Sequence, residues 1–188
     1  LIARIHQVGE LHEFEDRPWL TPASFGTESQ QFLLENEFIP PELEPAYTTI
    51  CADLMTAVEA CYERAGATRN IRLHGDFHPG NVLLGGAGPV LIDWTGATRG
   101  DPTADFARTR LMLQVGELPP GSPAAIRALA AIGRHTLWKL YDRSYRRARV
   151  VEPDLADHWT IVVAANRLTE AIESERPALL DTLHELTG

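Results

Sequence analysis

Leu73-His74-Gly75-Asp76-Phe77-His78-Pro79-Gly80-Asn81, with Leu91-Ile92-Asp93-Trp94 shortly after it, is the stretch from which the rest of this chain is read. A short β-type run, Ile71-Arg72-Leu73, enters the polar loop, and Asn81-Val82-Leu83-Leu84 leaves it. Gly85-Gly86-Ala87-Gly88 then supplies a turn into a second apolar run, Pro89-Val90-Leu91-Ile92. The pattern predicts a small hairpin region with Asp76 and Asp93 at neighbouring ends.

Two carboxylates and an amide brought together this way suit phosphoryl transfer. That reaction needs a carboxylate beside the attacking hydroxyl and oxygen ligands that hold Mg²⁺ against nucleotide phosphates. His74-x-Asp76-x-x-x-x-Asn81 has the spacing of a kinase catalytic loop, with Asp76 as the base and Asn81 as a metal ligand; Asp93 stands where the second metal-binding Asp is expected. A tight turn in which Asp76 and Asn81 only cap the backbone is the plainer alternative, but it leaves Asp93 without a role. The sharper rival is a metal hydrolase, since His74, Asp76 and His78 offer three ligands to Zn²⁺ or Mn²⁺ from one loop. Against it, His6, His12, His135, His158 and His184 show no paired spacing that would complete such a site.

His74-Gly75-Asp76-Phe77-His78-Pro79-Gly80-Asn81-Val82-Leu83, followed by Ile92-Asp93-Trp94 and by Gly100-Asp101-Pro102-x-x-Asp105-x-Ala107-Arg108, resembles the aminoglycoside phosphotransferase family of protein-kinase-like enzymes, which also contains choline and homoserine kinases. The opening Ile2-Ala3-Arg4-Ile5-His6-Gln7-Val8-Gly9, with Phe14 and Arg17-Pro18, is similar to the stress response kinase A group of protein Ser/Thr kinases. The resemblance implies ATP and Mg²⁺ as cofactors and a hydroxyl acceptor on a small molecule, such as an aminoglycoside or aminoalcohol. It also implies Asp76 as base, Asn81 and Asp93 as metal ligands, and His74, His78 and Asp105 as supports of the catalytic loop. A protein Ser/Thr kinase, or a non-catalytic lobe acting as a binding module, are the other readings.

Kinases of this kind carry an N-terminal lobe with a phosphate-covering loop and a strand Lys. Nothing before residue 70 supplies these parts, and Leu1 to Gly9 resembles the helix that follows the hinge between lobes. The expectation is therefore a mainly α (α+β) fold, a protein-kinase-like C-terminal lobe with a small β-hairpin carrying the catalytic loop and the metal-binding Asp. It forms one domain over 1–188: 1–69 helical, 70–94 catalytic loop and hairpin, 101–188 a helical substrate-side subdomain. The N-terminal lobe would come in cis or in trans, and the chain alone is expected to be incomplete or inactive.

Composition narrows the partners. At 188 residues and 44% hydrophobic the chain can bury one core. A formal net charge of −9 argues against a nucleic-acid or membrane-surface binder, which would favour basic patches, and suits a cationic substrate. Cys51 and Cys61 show neither a disulfide framework nor a zinc pattern and read as buried thiols. With no apolar run of membrane-spanning length and no signal-peptide layout, a cytoplasmic location is expected.

Helical periodicity accounts for most of the remaining chain. A helix over Leu1 to Val8 is stopped by Gly9, and Thr27-x-x-Gln30 has capping-box spacing. Leu43, Tyr47, Ile50, Leu54, Val58 and Cys61 mark a long amphipathic helix from Glu42 to about Ala65, expected to be the main core helix beneath the catalytic loop. Residues 95–100 occupy the place of a kinase activation segment but are too short for regulation. Asp101-Pro102 caps and starts the next helix, which runs to Gly116, with Arg108 and Arg110 at the surface or paired with carboxylates. Helices from Ser122-Pro123 to about Arg149, from Pro153-Asp154 through Leu168, and from Pro177 complete the chain. Arg143, Arg146, Arg147 and Arg149 read as a solvated helix end. For the acceptor pocket, Asn166, Glu170 and Glu173 fall at steps of four and three, as if on one helical face, and Asp157 is a further candidate beside Asp154.

Overall fold

A computed structural model describes residues 33–65, 71–86, 88–116, 118 and 121–187, and within 33–65 the side chains at 54, 55 and 57–65 lie outside the description. The expected helix over Leu1 to Val8 and the capping box at Thr27 fall outside the described residues. In chain order the described elements are α1 (Glu44–Ala65), β1 (Ile71–Leu73), a 3₁₀ turn (Pro79–Asn81), β2 (Val82–Gly85), β3 (Gly88–Leu91), β4 (Thr98–Gly100), α2 (Pro102–Val115), α3 (Ala124–Ala148), α4 (Pro153–Leu168) and α5 (Arg176–Thr187). The fold is mainly helical with two small antiparallel sheets.

Local chemistry explains most boundaries. Asp101 caps α2 by accepting from the Thr103 N–H at 2.8 Å, and Pro102 fills the first turn, where its missing N–H costs nothing. Gly116 ends the helix, its N–H donating to the Met112 carbonyl. Pro153 likewise fills the first turn of α4, where no side chain caps the helix. β2 and β3 form the expected hairpin, in register Val82 with Leu91 and Gly85 with Gly88. The stretch after Asp93 is not all loop: Thr98–Gly100 pairs antiparallel with β1, Ile71 opposite Gly100 and Leu73 opposite Thr98. That pairing anchors both ends of the loop region with one small sheet.

α4 lies at the centre, buried at Leu155, Ala156 and continuously from Trp159 to Ala165, as expected of a helix apolar on nearly all sides. It packs against α2, α5 and α1. The main core cluster joins Tyr47 and Cys51 of α1, Ile71 and Leu73 of β1, Leu111 of α2, Trp159 and Val162 of α4, and Leu179 and Leu183 of α5. Burial pushes the Cys51 thiol up to about 11, in keeping with an inert core cysteine.

The helix beneath the catalytic loop is α2, not α1. α1 turns Leu43, Tyr47 and Cys51 toward α4 instead. An amphipathic stripe shows that a helix is buried on one side, but it does not name the partner. A second cluster, Phe106 with Tyr145, Leu91, Val151 and Ala156, fills the space between α2 and α3, with Phe77, Trp94, Trp138 and Tyr141 around it. Phe106 is in ring contact with Trp138, Tyr141 and Tyr145, and the Arg146 guanidinium lies 5.4 Å from its ring. The outer face of α3 stays apolar and exposed, Leu129 at 66% and Ile132 at 65%. No helix among the described residues is long and apolar enough to cross a membrane.

Candidate active site

The loop between β1 and β2 is shaped by backbone conformation as much as by side chains. Gly75 has φ of 78°, and a Cβ there would collide with the Gly96 carbonyl oxygen. Only glycine lets the two loops meet at this point. His74 is fully buried; its Nδ1 accepts from the Asp76 N–H at 3.2 Å, so Nε2 carries the proton and donates to the Ile92 carbonyl at 2.9 Å. Both ring nitrogens are thereby committed to the backbone.

The rest of the loop converges on Asp76. The Asn81 amide nitrogen donates to the Asp76 carbonyl at 2.9 Å and to its Oδ2 at 3.1 Å, which leaves the Asn81 amide oxygen as its open atom. His78 caps the 3₁₀ turn, Nδ1 accepting from Gly80 N–H at 3.1 Å, and holds Nε2 at 3.5 Å from Asp76 Oδ2. His74, Asp76 and His78 therefore do not converge as three ligands on one ion. No cluster of three or more His, Cys, Asp or Glu among the described residues does so.

One face of α2 grips this loop. Asp105, 2% exposed, accepts from the backbone N–H of His74 at 2.9 Å and of Gly75 at 2.8 Å. One turn on, the Thr109 hydroxyl donates to the Phe77 carbonyl at 3.0 Å. Between them Arg108 reaches both Asp76 Oδ1, at 3.7 Å, and Glu170 Oε1, at 3.2 Å. Asp105, Arg108 and Thr109 stand at i, i+3 and i+4, neighbours on one helical surface. Asp105 is readable from the sequence as a support. Thr109 was not expected, and the step of four from Asp105 is the signal that points to it.

Asp93 is held differently. The Ile92 N–H donates to the Asn81 carbonyl at 2.9 Å while His74 binds the Ile92 carbonyl, so the residue before Asp93 is pinned on both sides. Asp93 itself is exposed and left-handed, with φ of 58°. Asp tolerates that region better than most residues, and backbone strain of this kind collects at functional sites. The Thr95 hydroxyl donates to Asp93 Oδ1 at 2.6 Å, and this bond, with one from the Thr95 backbone, holds the carboxyl below its ordinary range. Trp94 packs against His74, ring centres 4.7 Å apart, and donates Nε1–H to the Leu91 carbonyl at 3.0 Å.

The residues expected on the acceptor side depart from the expected arrangement. Asn166, Glu170 and Glu173 do not share a helical face, because α4 ends at Leu168 and the chain turns away, with Ala171 at φ of 52°. Asn166 stays on α4, whereas Glu170 and Glu173 lie in the turns before α5. Glu170 pairs with Arg108 and, at 2.7 Å, with Arg167. Arg167 also grips Glu175 at 2.7 and 3.0 Å. Asp157 meets Arg110 at 2.6 Å. Helical spacing cannot place residues beyond the end of the helix.

The phosphotransferase enzyme family model matches residues 1–149. The chain belongs to that family. Similar proteins include stress response kinase A of Salmonella choleraesuis (strain SC-B67) and the serine/threonine protein kinase RdoA of Salmonella typhimurium (strain LT2), each 33% identical over 105 residues. Stress response kinase A of Escherichia coli (strain K12) is 30% identical over the same length. Each match takes in 56% of this chain and 31% of the relative, so the chain spans about a third of the length of the phosphotransferases it matches. Among solved structures, amicoumacin kinase hAmiN in complex with AMP-PNP, Ca²⁺ and Ami is similar with a TM-score of 0.46 and 15% identity, covering 99% of this chain and 60% of that one.

Proposed function

We propose that the chain is the C-terminal lobe of a kinase that transfers the γ-phosphoryl group of ATP to a hydroxyl, most simply on a small molecule, with Asp76 as the base. The observation that carries this reading is the framework around Asp76. Asp105 fixes the backbone ahead of it, Asn81 and Arg108 take one oxygen each, and the carboxyl stays partly open to an acceptor. In the reaction a bond forms from the acceptor oxygen to the γ-phosphorus, and the bond to the β–γ bridging oxygen breaks. ADP leaves, and Asp76 takes the hydroxyl proton.

The donor set suits a hard cation. The open amide oxygen of Asn81 and the exposed Asp93 carboxylate are oxygen ligands of the kind Mg²⁺ takes from protein, one or two at a time, with phosphates filling the remainder. When bound, Mg²⁺ would neutralise charge on the nucleotide phosphates. The chain's own contribution is to hold the two ligands: Ile92 is pinned by Asn81 and His74, and Asp93 is kept ionised by Thr95.

Family likeness suggests aminoglycosides or aminoalcohols as acceptors. A protein Ser/Thr acceptor is the second reading, supported by the names of the relatives at 33% identity. The test uses the complete protein. Asp76→Ala is expected to lower turnover by about a hundredfold or more while Mg²⁺-dependent ATP binding persists, because Asp76 faces the acceptor. Asp93→Ala should instead weaken that binding. Turnover unchanged in Asp76→Ala would overturn the assignment, and parallel assays with a protein and with small alcohols separate the two acceptor readings.

A further inference from the structure

Beside the catalytic loop, β2, α2 and α3 enclose a cavity of about 420 Å³, the size of a small-molecule site. Its walls are Phe77, Val82, Leu113, Leu137, Leu140 and Tyr141, and His78 at its edge places it next to Asp76. One buried polar group in its wall is left with an open acceptor. The Tyr141 hydroxyl is buried beside the Thr109 hydroxyl, whose proton goes to the Phe77 carbonyl, so Thr109 can only accept from Tyr141 and the Tyr141 oxygen receives no hydrogen bond among the described residues. A buried hydroxyl in that condition favours a ligand that can pair with it.

The charges around the cavity narrow the ligand further. A cationic acceptor needs a carboxylate within reach, but no Asp or Glu among the described residues lines this cavity, and Glu170, Glu175, Asp157 and Asp142 elsewhere are paired with Arg108, Arg167, Arg110 and Arg146. A continuation of the groove past Leu137 presents Arg134 and Arg167 beside Glu175. A cation entering there would have to break an internal ion pair or sit near an unmatched guanidinium.

We propose that this groove binds an uncharged alcohol with an aromatic or branched apolar body, and that the acceptor of the phosphotransferase is of this class, in place of the amino-bearing acceptors that family likeness suggests. Tyr141 pairs with its polar group, and the leucines cover its body. The inference rests on the phosphotransfer reading for the word acceptor, but not for the binding site itself.

The test follows leucine and isoleucine methyl signals of the ¹³C-labelled chain by NMR during titration with 2-phenylethanol and, separately, with spermidine. Saturable shifts at Leu113, Leu137 and Leu140 with 2-phenylethanol, none at the exposed Leu129 and Ile132, and none with spermidine are expected. Tyr141→Phe should weaken 2-phenylethanol binding by about threefold to tenfold, the loss of one hydrogen bond. Leu137→Gln, at a half-exposed position whose change spares the core, should weaken it as well. Equal shifts at Leu129 and Ile132, groove shifts with spermidine, or an unaltered Tyr141→Phe titration would each overturn the proposal. A ³¹P assay of the complete protein with ATP and the same alcohol separates the two readings. Binding without a phosphorylated product leaves the groove standing and removes the phosphotransfer role.

Discussion

The two carboxylates of the site are held in opposite ways. Asp76 sits in a loop whose backbone is anchored from below by buried groups: Asp105 accepts two of its N–H groups and Thr109 binds one of its carbonyls. Asp93 sits on an exposed turn in a left-handed conformation, held by a neighbour two residues away. The difference fits the two tasks proposed for them. A base is best positioned before an acceptor arrives, which a support built into the core provides, and a metal ligand is completed by an ion and a nucleotide, which an exposed turn leaves room for.

The contrast can be broken by removing the buried support. Asp105→Ala leaves the N–H groups of His74 and Gly75 buried without partners, and a loss of about 2–5 kcal/mol of stability is expected by chemical denaturation. An Asp105→Ala chain as stable as the parent would mean that the loop does not depend on α2. Gly75→Ala, at positive φ and facing the Gly96 carbonyl, should cost about 2–3 kcal/mol in the same measurement. If it were neutral, the close approach of the two loops would not hold.

Smaller effects sharpen the comparison. Thr109→Val keeps the shape and removes only the bond to Phe77, so a loss of about 1 kcal/mol is expected, checked by the shift in denaturation midpoint. Asp93→Gly relieves the left-handed strain but adds freedom to the unfolded chain, and stability should change by less than about 1 kcal/mol. The same substitution should remove Mg²⁺-dependent ATP binding in the complete protein, measured by calorimetry. A large destabilisation with binding intact would reverse the roles given to the two regions.

Much of this was legible because the informative contacts are local. His74, Asp76, His78 and Asn81 lie within eight residues, Asp101 caps its own helix, and Asp93 lies two residues past its strand. Gly75 is a loop glycine in any reading, but that it must be glycine comes from Gly96, which lies on another loop. Arg108 illustrates the limit. Its sequence neighbours allow either a surface position or a carboxylate partner, and only the fold brings Asp76 and Glu170 to the same guanidinium.

By itself the sequence determined the described helices, the Asp101 cap, the hairpin and which groups are proposed to react, because propensity, capping and motif spacing act over a few residues. Tertiary structure alone decided that α2 lies under the loop, that Thr98–Gly100 pairs with β1, and that Asp157 and Glu170 are paired with arginines. Those outcomes depend on which apolar faces meet across long separations. Periodicity marks such a face as buried, and the packing of the whole core selects what it is buried against.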